Sequence, residues 1–168
     1  TQYDTLGNVR YTLPPALAAR GAGTAPTASL SSNSLAAKWT YLDSCEANPT
    51  GSKSLAFPTG ETLPPVTDNA SPSSRFSTST TYDCYLGLPT EFRDINGVIT
   101  SFSYGVTADP DRLKSVTRAK GTSSQSSTEY EYALALPELY VESRADLRTY
   151  NDKTLQSRAV FDGYGRIV

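Results

Sequence analysis

Residues 88–104 read LPTEFRDINGVITSFSY. Asn96-Gly97 stands between two runs of strand-forming residues, and this dipeptide suits the left-handed dihedrals that a two-residue hairpin turn demands. A β-hairpin is therefore expected here. After the turn, Val98, Thr100, Phe102 and Tyr104 share one face while Ile99, Ser101 and Ser103 share the other, so the first face is expected to be buried.

Strand signals continue on the C-terminal side. RLKSVTRA (112–119), STEYEYAL (127–134), ELYVESRAD (138–146) and LQSRAVFD (155–162) each read as a strand. In the second of these, Glu129 and Glu131 fall on one face and Tyr130 and Tyr132 on the other. No stretch after residue 80 sustains the apolar three-and-four spacing of a long helix. The N-terminal half is less sharply written. Residues 1–80 hold 10 charged and 6 aromatic side chains, against 22 and 11 in residues 81–168, so the structural signal is concentrated in the second part. Residues 14–35 and 58–75 are rich in Pro, Ala, Gly, Ser and Thr and read as long surface loops. LAAKWTYLDS (35–44), with its aromatic cluster, reads as a strand or a short helix between them, the strand being favoured. The expected fold is all-β: irregular antiparallel hairpin repeats forming a curved strip, part of a shell or solenoid-like assembly. Its expected organisation is a partial repeat at 1–13, a loop-rich insertion with a few short strands at 14–80, and a hairpin region at 81–168.

Composition narrows the function. The chain has 168 residues and a net charge of −2, without a dense Lys/Arg stripe, so nucleic acid is not an expected partner. No apolar run approaches the roughly 20 residues of a membrane-spanning helix. There is no signal-peptide pattern, but also no methionine, including an initiator, and the chain opens inside a motif; it reads as a fragment or processed product of something longer. The absence of histidine removes Ser-His-Asp, Cys-His and His-based metal chemistry. The two cysteines, Cys45 and Cys84, form no zinc pattern, leaving a disulfide or buried free thiols as their readings.

An aromatic-Asp-x-x-Gly pattern occurs at both ends: YDTLGNV (3–9) and FDGYGRIV (161–168), with a copy stretched by one residue at YDCYLGL (82–88). The aromatic residue ends a strand and packs on the sheet, the aspartate bonds backbone amides two residues on, and glycine accepts positive φ. Such a hairpin cannot bury its face alone, which is the logic of stacked repeats.

These motifs resemble the Rhs or YD-repeat family, whose units carry a Tyr-Asp pair followed by glycine and often by Arg and an aliphatic residue. DINGVITSFSYGVTADPDRLKSV (94–116) is similar to a complete linking unit, with Asn96-Gly97 at its turn, Phe102 and Tyr104 as its paired aromatics and Arg112-Leu113 as its Arg-aliphatic step. The resemblance covers 82–168 and 1–12 and hardly touches the middle. It departs where Gly105 and Ala133 replace the Asp expected after Tyr104 and Tyr132, and those turns are expected to be remodelled. The resemblance implies a β-rich strip that spirals into a shell, enclosing a toxic segment in bacterial members and serving adhesion in animal relatives. It implies Tyr3, Asp4, Gly7, Tyr82, Asp83, Gly87, Phe161, Asp162, Gly165 and Arg166 as turn and packing residues. Expected partners are flanking repeats or copies of the chain itself, at the cell surface or outside the cell.

Other sites weigh less. Asp109 and Asp111 in ADPDR read as a Pro-containing turn rather than a cation site, and Asp94 and Asn96 as part of the hairpin turn rather than a calcium loop. Glu129 and Glu131 are neighbours, as paired glycosidase carboxylates must be, but read as an exposed charged face. Tyr130 and Tyr132 could instead offer a stacking surface to glycans or a surface receptor, the alternative reading of a binding module. No metal, cofactor or enzymatic activity is expected.

Overall fold

The structure, a computed structural model, describes residues 1–13, 36–43, 45, 54–64, 76–106, 109–135 and 138–168. The loop reading at 14–35 lies outside them, as do residues 65–75 of the second loop. The chain is all-β, with antiparallel strands and no helix among the described residues. It divides into two compact units, one of residues 1–84 with 93–97, the other of 85–92 with 98–168.

The first unit contains β1 (Gln2–Tyr3), β2 (Val9–Thr12), β3 (Ala37–Thr40), β4 (Gly60–Thr62) and β5 (Ser77–Tyr82), each paired antiparallel with the next. β4 corrects the reading of 58–75 as loop throughout. Thr-Gly-Glu-Thr looks like turn material, but Gly60 lies between Thr40 and Ser79, and a β-carbon there would stand 2.7 Å from Thr40 Oγ1. Glycine there leaves room for the Thr40 hydroxyl against the strand. Ala36, Ala37, Tyr41 and Cys45 are buried, Phe57 stacks on Tyr82 with ring centroids 4.9 Å apart, and Tyr82 Oη donates to Pro58 O. Cys45 and Cys84 are disulfide-bonded, so of the two readings for the thiols the structure has the bridge.

The other strands are β6 (Pro89–Arg93), β7 (Ile99–Val106), β8 (Asp109–Arg118), β9 (Ser126–Ala135), β10 (Glu138–Ala145) and β11 (Leu155–Phe161). From β7 to β11 each pairs antiparallel with the next. One lateral row runs Phe102, Val116, Thr128, Ala145, Leu155 across five strands. Val116 and Thr128 are buried in it, consistent with the face chosen for Phe102, while Val98 at its start is exposed. Val116 is the only buried hydrophobic residue of this unit among those described. Its sheet is a single layer, and a single layer leaves both faces partly wet.

Two local readings change. The described part of ADPDR, residues 109–112, is strand rather than turn: Asp109 opens β8 opposite Val106, Pro110 is tolerated near the strand start, and Arg112 Nε donates to Asp109 Oδ2 at 2.6 Å. Asn96-Gly97 is not a two-residue turn with both residues left-handed. Gly97 has φ +79°, Asn96 does not have positive φ, and Gly97 N–H donates to Asp94 O at 3.0 Å. Asp94 moved the turn, because its Oδ1 accepts from Asn96 N–H at 2.8 Å and so begins the turn two residues before the dipeptide. A β-carbon at Gly97 would meet nothing within 4 Å, so its requirement is conformational. Gly97→Ala is expected to cost about 1 kcal/mol through that positive φ alone, read as a lowered urea midpoint with an unchanged slope.

Candidate functional site: aspartate turns and a charged sheet face

The turn at Asp94 has two counterparts with the same bonds. At Asp4, Gly7 N–H donates to Asp4 O at 3.1 Å and Leu6 N–H to Asp4 Oδ1 at 2.9 Å. At Asp162, Gly165 N–H donates to Asp162 O at 2.9 Å and Tyr164 N–H to Asp162 Oδ1 at 2.9 Å. The glycines sit at φ +86° and +79°. In these two the carboxylate takes a further amide, from Asn8 and from Arg166. The spacing Asp-x-x-Gly was legible at Asp4 and Asp162, and it was equally present at Asp94, where the Asn-Gly signal hid it.

The aspartate also decides where a strand stops. β1, β5 and β11 end on Tyr3, Tyr82 and Phe161, each followed by Asp4, Asp83 or Asp162. Where Gly105 and Ala133 stand in place of aspartate, β7 runs on to Val106 and β9 to Ala135. Without a carboxylate to collect the next amides, the ladder remains the better partner for them. Gly105, at φ +98°, sits instead where the β7–β8 register shifts. Gly87 in the stretched copy also has positive φ. The aromatic positions are less uniform than the pattern implies: Tyr82 packs, Phe161 is half-buried, and Tyr3 is 63% exposed. Arg166 closes the last turn, its Nε donating to Asp162 Oδ2 at 2.7 Å and its guanidinium lying 5.4 Å from the Tyr164 ring.

On β9 to β11 the register stacks Glu131, Glu142 and Arg158 in one row and Glu129, Arg144 and Gln156 in the next. Glu142 is 6% exposed and accepts from Arg144 Nε at 2.6 Å and Arg158 Nε at 2.8 Å. Arg144 also reaches Glu131 at 2.9 Å, Lys153 Nζ pairs with Glu129, and the Arg158 guanidinium lies 4.1 Å from the Tyr140 ring. Each carboxylate of the Glu129/Glu131 pair thus has its own cation, an arrangement for holding charge in place. The hydrogen bond from Arg158, then that from Arg144, hold the Glu142 carboxyl below its ordinary value, while the Glu131 hydrogen bond raises the Tyr140 hydroxyl. Because the folded value of Glu142 is depressed, its contribution to stability is present above the unfolded carboxylate range near roughly 4 and is lost as pH falls through the folded value. Glu142→Gln is expected to destabilise at pH 7 and to flatten the loss of stability between pH 5 and pH 2, read from urea midpoints across that range.

Tyr130 and Tyr132 lie on the opposite face, in rows with Ser143 and Val141. Both are half-buried; the Tyr132 hydroxyl donates to Leu113 O and the Arg112 guanidinium lies 5.3 Å from its ring. The partners of the charged face were not legible in advance, since they come from β10 and β11 and depend on register. No group of side chains that could hold a metal occurs among the described residues. Among the described residues no helix is long and apolar enough to cross a membrane. In comparison with known proteins, no family model, no curated protein and no solved structure matches the chain.

Proposed function

We propose that the chain is a structural β-repeat segment of a secreted or cell-surface protein of the Rhs/YD kind, adding strands to a shell, fibre or scaffold and catalysing nothing. The observation that carries this reading is the repeated aspartate turn, built with the same hydrogen bonds at Asp4, Asp94 and Asp162. One recurring device that ends or reverses strands is what an assembly of hairpins needs. The Cys45–Cys84 bridge supports an oxidising compartment.

Its partners are flanking repeats or further copies of the chain, and β11 is where one would add. Val168 N–H donates to Val160 O at 3.0 Å and Ile167 bridges to Phe161, both on the side of β11 away from β10. By the two-residue period, Gln156 turns its N–H the same way. Electron micrographs of concentrated protein test the proposal: shells or filaments are expected, and a field without assemblies would count against it.

A further inference from the structure

β9, β10 and β11 carry their charge on one face. The charged side chains described on them, Glu129, Glu131, Glu142, Arg144 and Arg158, all lie on the side of the ion-pair ladder, because each strand alternates and the register keeps like positions in line. The opposite face has Tyr132, Val141 and Ala159 in one row and Leu134, Leu139 and Phe161 in the next. We infer that this uncharged face binds the same face of a second copy, the two sheets stacking as the layers of a β-sandwich.

The surface to be covered is apolar and still wet. Leu134 is 49% exposed and Leu155, at the far end of the same face, 53%. The two named rows are otherwise half-buried, so each side chain keeps surface that a second layer would take from water. Charge decides the partner. A face without ions offers no counter-charge to a charged ligand, and what fits it is another apolar sheet face; its own copy presents one and meets no like-charge repulsion there. On β8 the face is bordered by polar groups already engaged: the Arg112 guanidinium lies 5.3 Å from the Tyr132 ring and is tied to Asp109, and Arg118 Nη1 donates to Thr128 Oγ1 at 3.0 Å. An apolar centre with tyrosines and an arginine-bearing rim is the common anatomy of a protein–protein contact. The size is sufficient as well. Five strands, β7 to β11, at about 4.8 Å spacing and roughly 20 Å in length make a face of about 480 Å², so two copies meeting would bury on the order of 1,000 Å², where specific interfaces begin.

This inference goes beyond strand addition at the β11 edge, and its test keeps the two apart. The whole chain carrying Gln156→Pro, which blocks the edge and leaves the face intact, is expected in sedimentation equilibrium to approach the mass of a dimer and stop there. In that background Leu134→Lys and Leu155→Lys are each expected to raise the dissociation constant at least about tenfold, since each would carry an ammonium group into an uncharged layer. Val160→Lys, on the charged face, is expected to leave it unchanged. All three positions are exposed, so a lysine is accommodated in the folded monomer. In a mixture of isotope-labelled and unlabelled wild-type chains, nuclear Overhauser effects between copies are expected at the side chains of Tyr132, Val141 and Phe161. A Gln156→Pro chain that stays monomeric up to about 1 mM, a dimer indifferent to both leucine substitutions, or contacts between copies confined to the backbone of β11 would each overturn the inference.

Discussion

Replacing Cys45 and Cys84 together by serine is expected to lower the stability of the first unit by about 4 kcal/mol, the chain-entropy value for a loop of this length. The cysteines are separated by 39 positions, with Cα atoms 5.3 Å apart, and the closed loop contains β4 and β5. Among its described residues that unit has a small apolar core. Its buried hydrophobic residues among those described are Ala36, Ala37, Tyr41 and Cys45 itself, and two of the four are alanines that bury few atoms. The measurement is urea unfolding followed by the fluorescence of Trp39, the chain's single tryptophan, which lies in β3. A fall in midpoint of roughly 2 M is expected. Equal midpoints for the oxidised wild type and the double variant would show that the bridge closes a loop already held shut by other contacts.

Asp43→Ala is expected to cost about 3 kcal/mol, which is unusual for an aspartate and follows from what it satisfies. Asp43 is 2% exposed; it accepts from Cys45 N–H at 3.1 Å, Ser54 N–H at 3.3 Å and Ser54 Oγ at 2.8 Å. Burial pushes its carboxyl up, but the hydrogen bonds from Ser54, Phe57 and Cys45 together hold it below the ordinary value. Alanine leaves those donors without an acceptor in a place water reaches poorly, and each such group is costly. Asp43→Asn keeps one carbonyl acceptor and should cost roughly half as much. Because Asp43 binds the amide of Cys45, its loss and the loss of the disulfide are neighbouring defects; the combined variant should fall short of their sum. The stability that Asp43 supplies should also fade as pH drops below about 4, since its folded value is depressed. Urea midpoints of both variants at pH 7 and pH 3 check cost and sign together, and an Asp43→Ala midpoint within error of wild type would contradict the account.

The readable parts of the fold were those where side-chain alternation is strong and local. Tyr130 and Tyr132 opposite Glu129 and Glu131, or Phe102 in the row of the buried Val116, need only a two-residue period. β4 could not be read that way, because three residues carry no period and its place comes from Gly60 fitting between Thr40 and Ser79. β5 was hidden for another reason: Thr78, Thr80 and Tyr82 do face inward, but threonine and serine alternate without an apolar contrast. At the turns, the Asn96-Gly97 dipeptide drew attention from Asp94, although Asp94-x-x-Gly97 repeats the spacing of Asp4-x-x-Gly7. Asp43 and Asp146 were missed because an aspartate that collects amides from distant residues leaves no local signature, and Asp152 because its donors Leu147, Arg148 and Thr149 precede it, the reverse of the Asp-x-x-Gly order.

The proposed scaffold role stands on strand addition, and light scattering over a concentration series measures that directly. The wild-type chain is expected to exceed its 18.1 kDa monomer mass increasingly with concentration. Gln156→Pro, which removes an outward N–H on the edge strand β11 without touching the β10 pairing, should bring the mass back toward the monomer. A compact monomer at every concentration, in wild type and variant alike, would contradict the account.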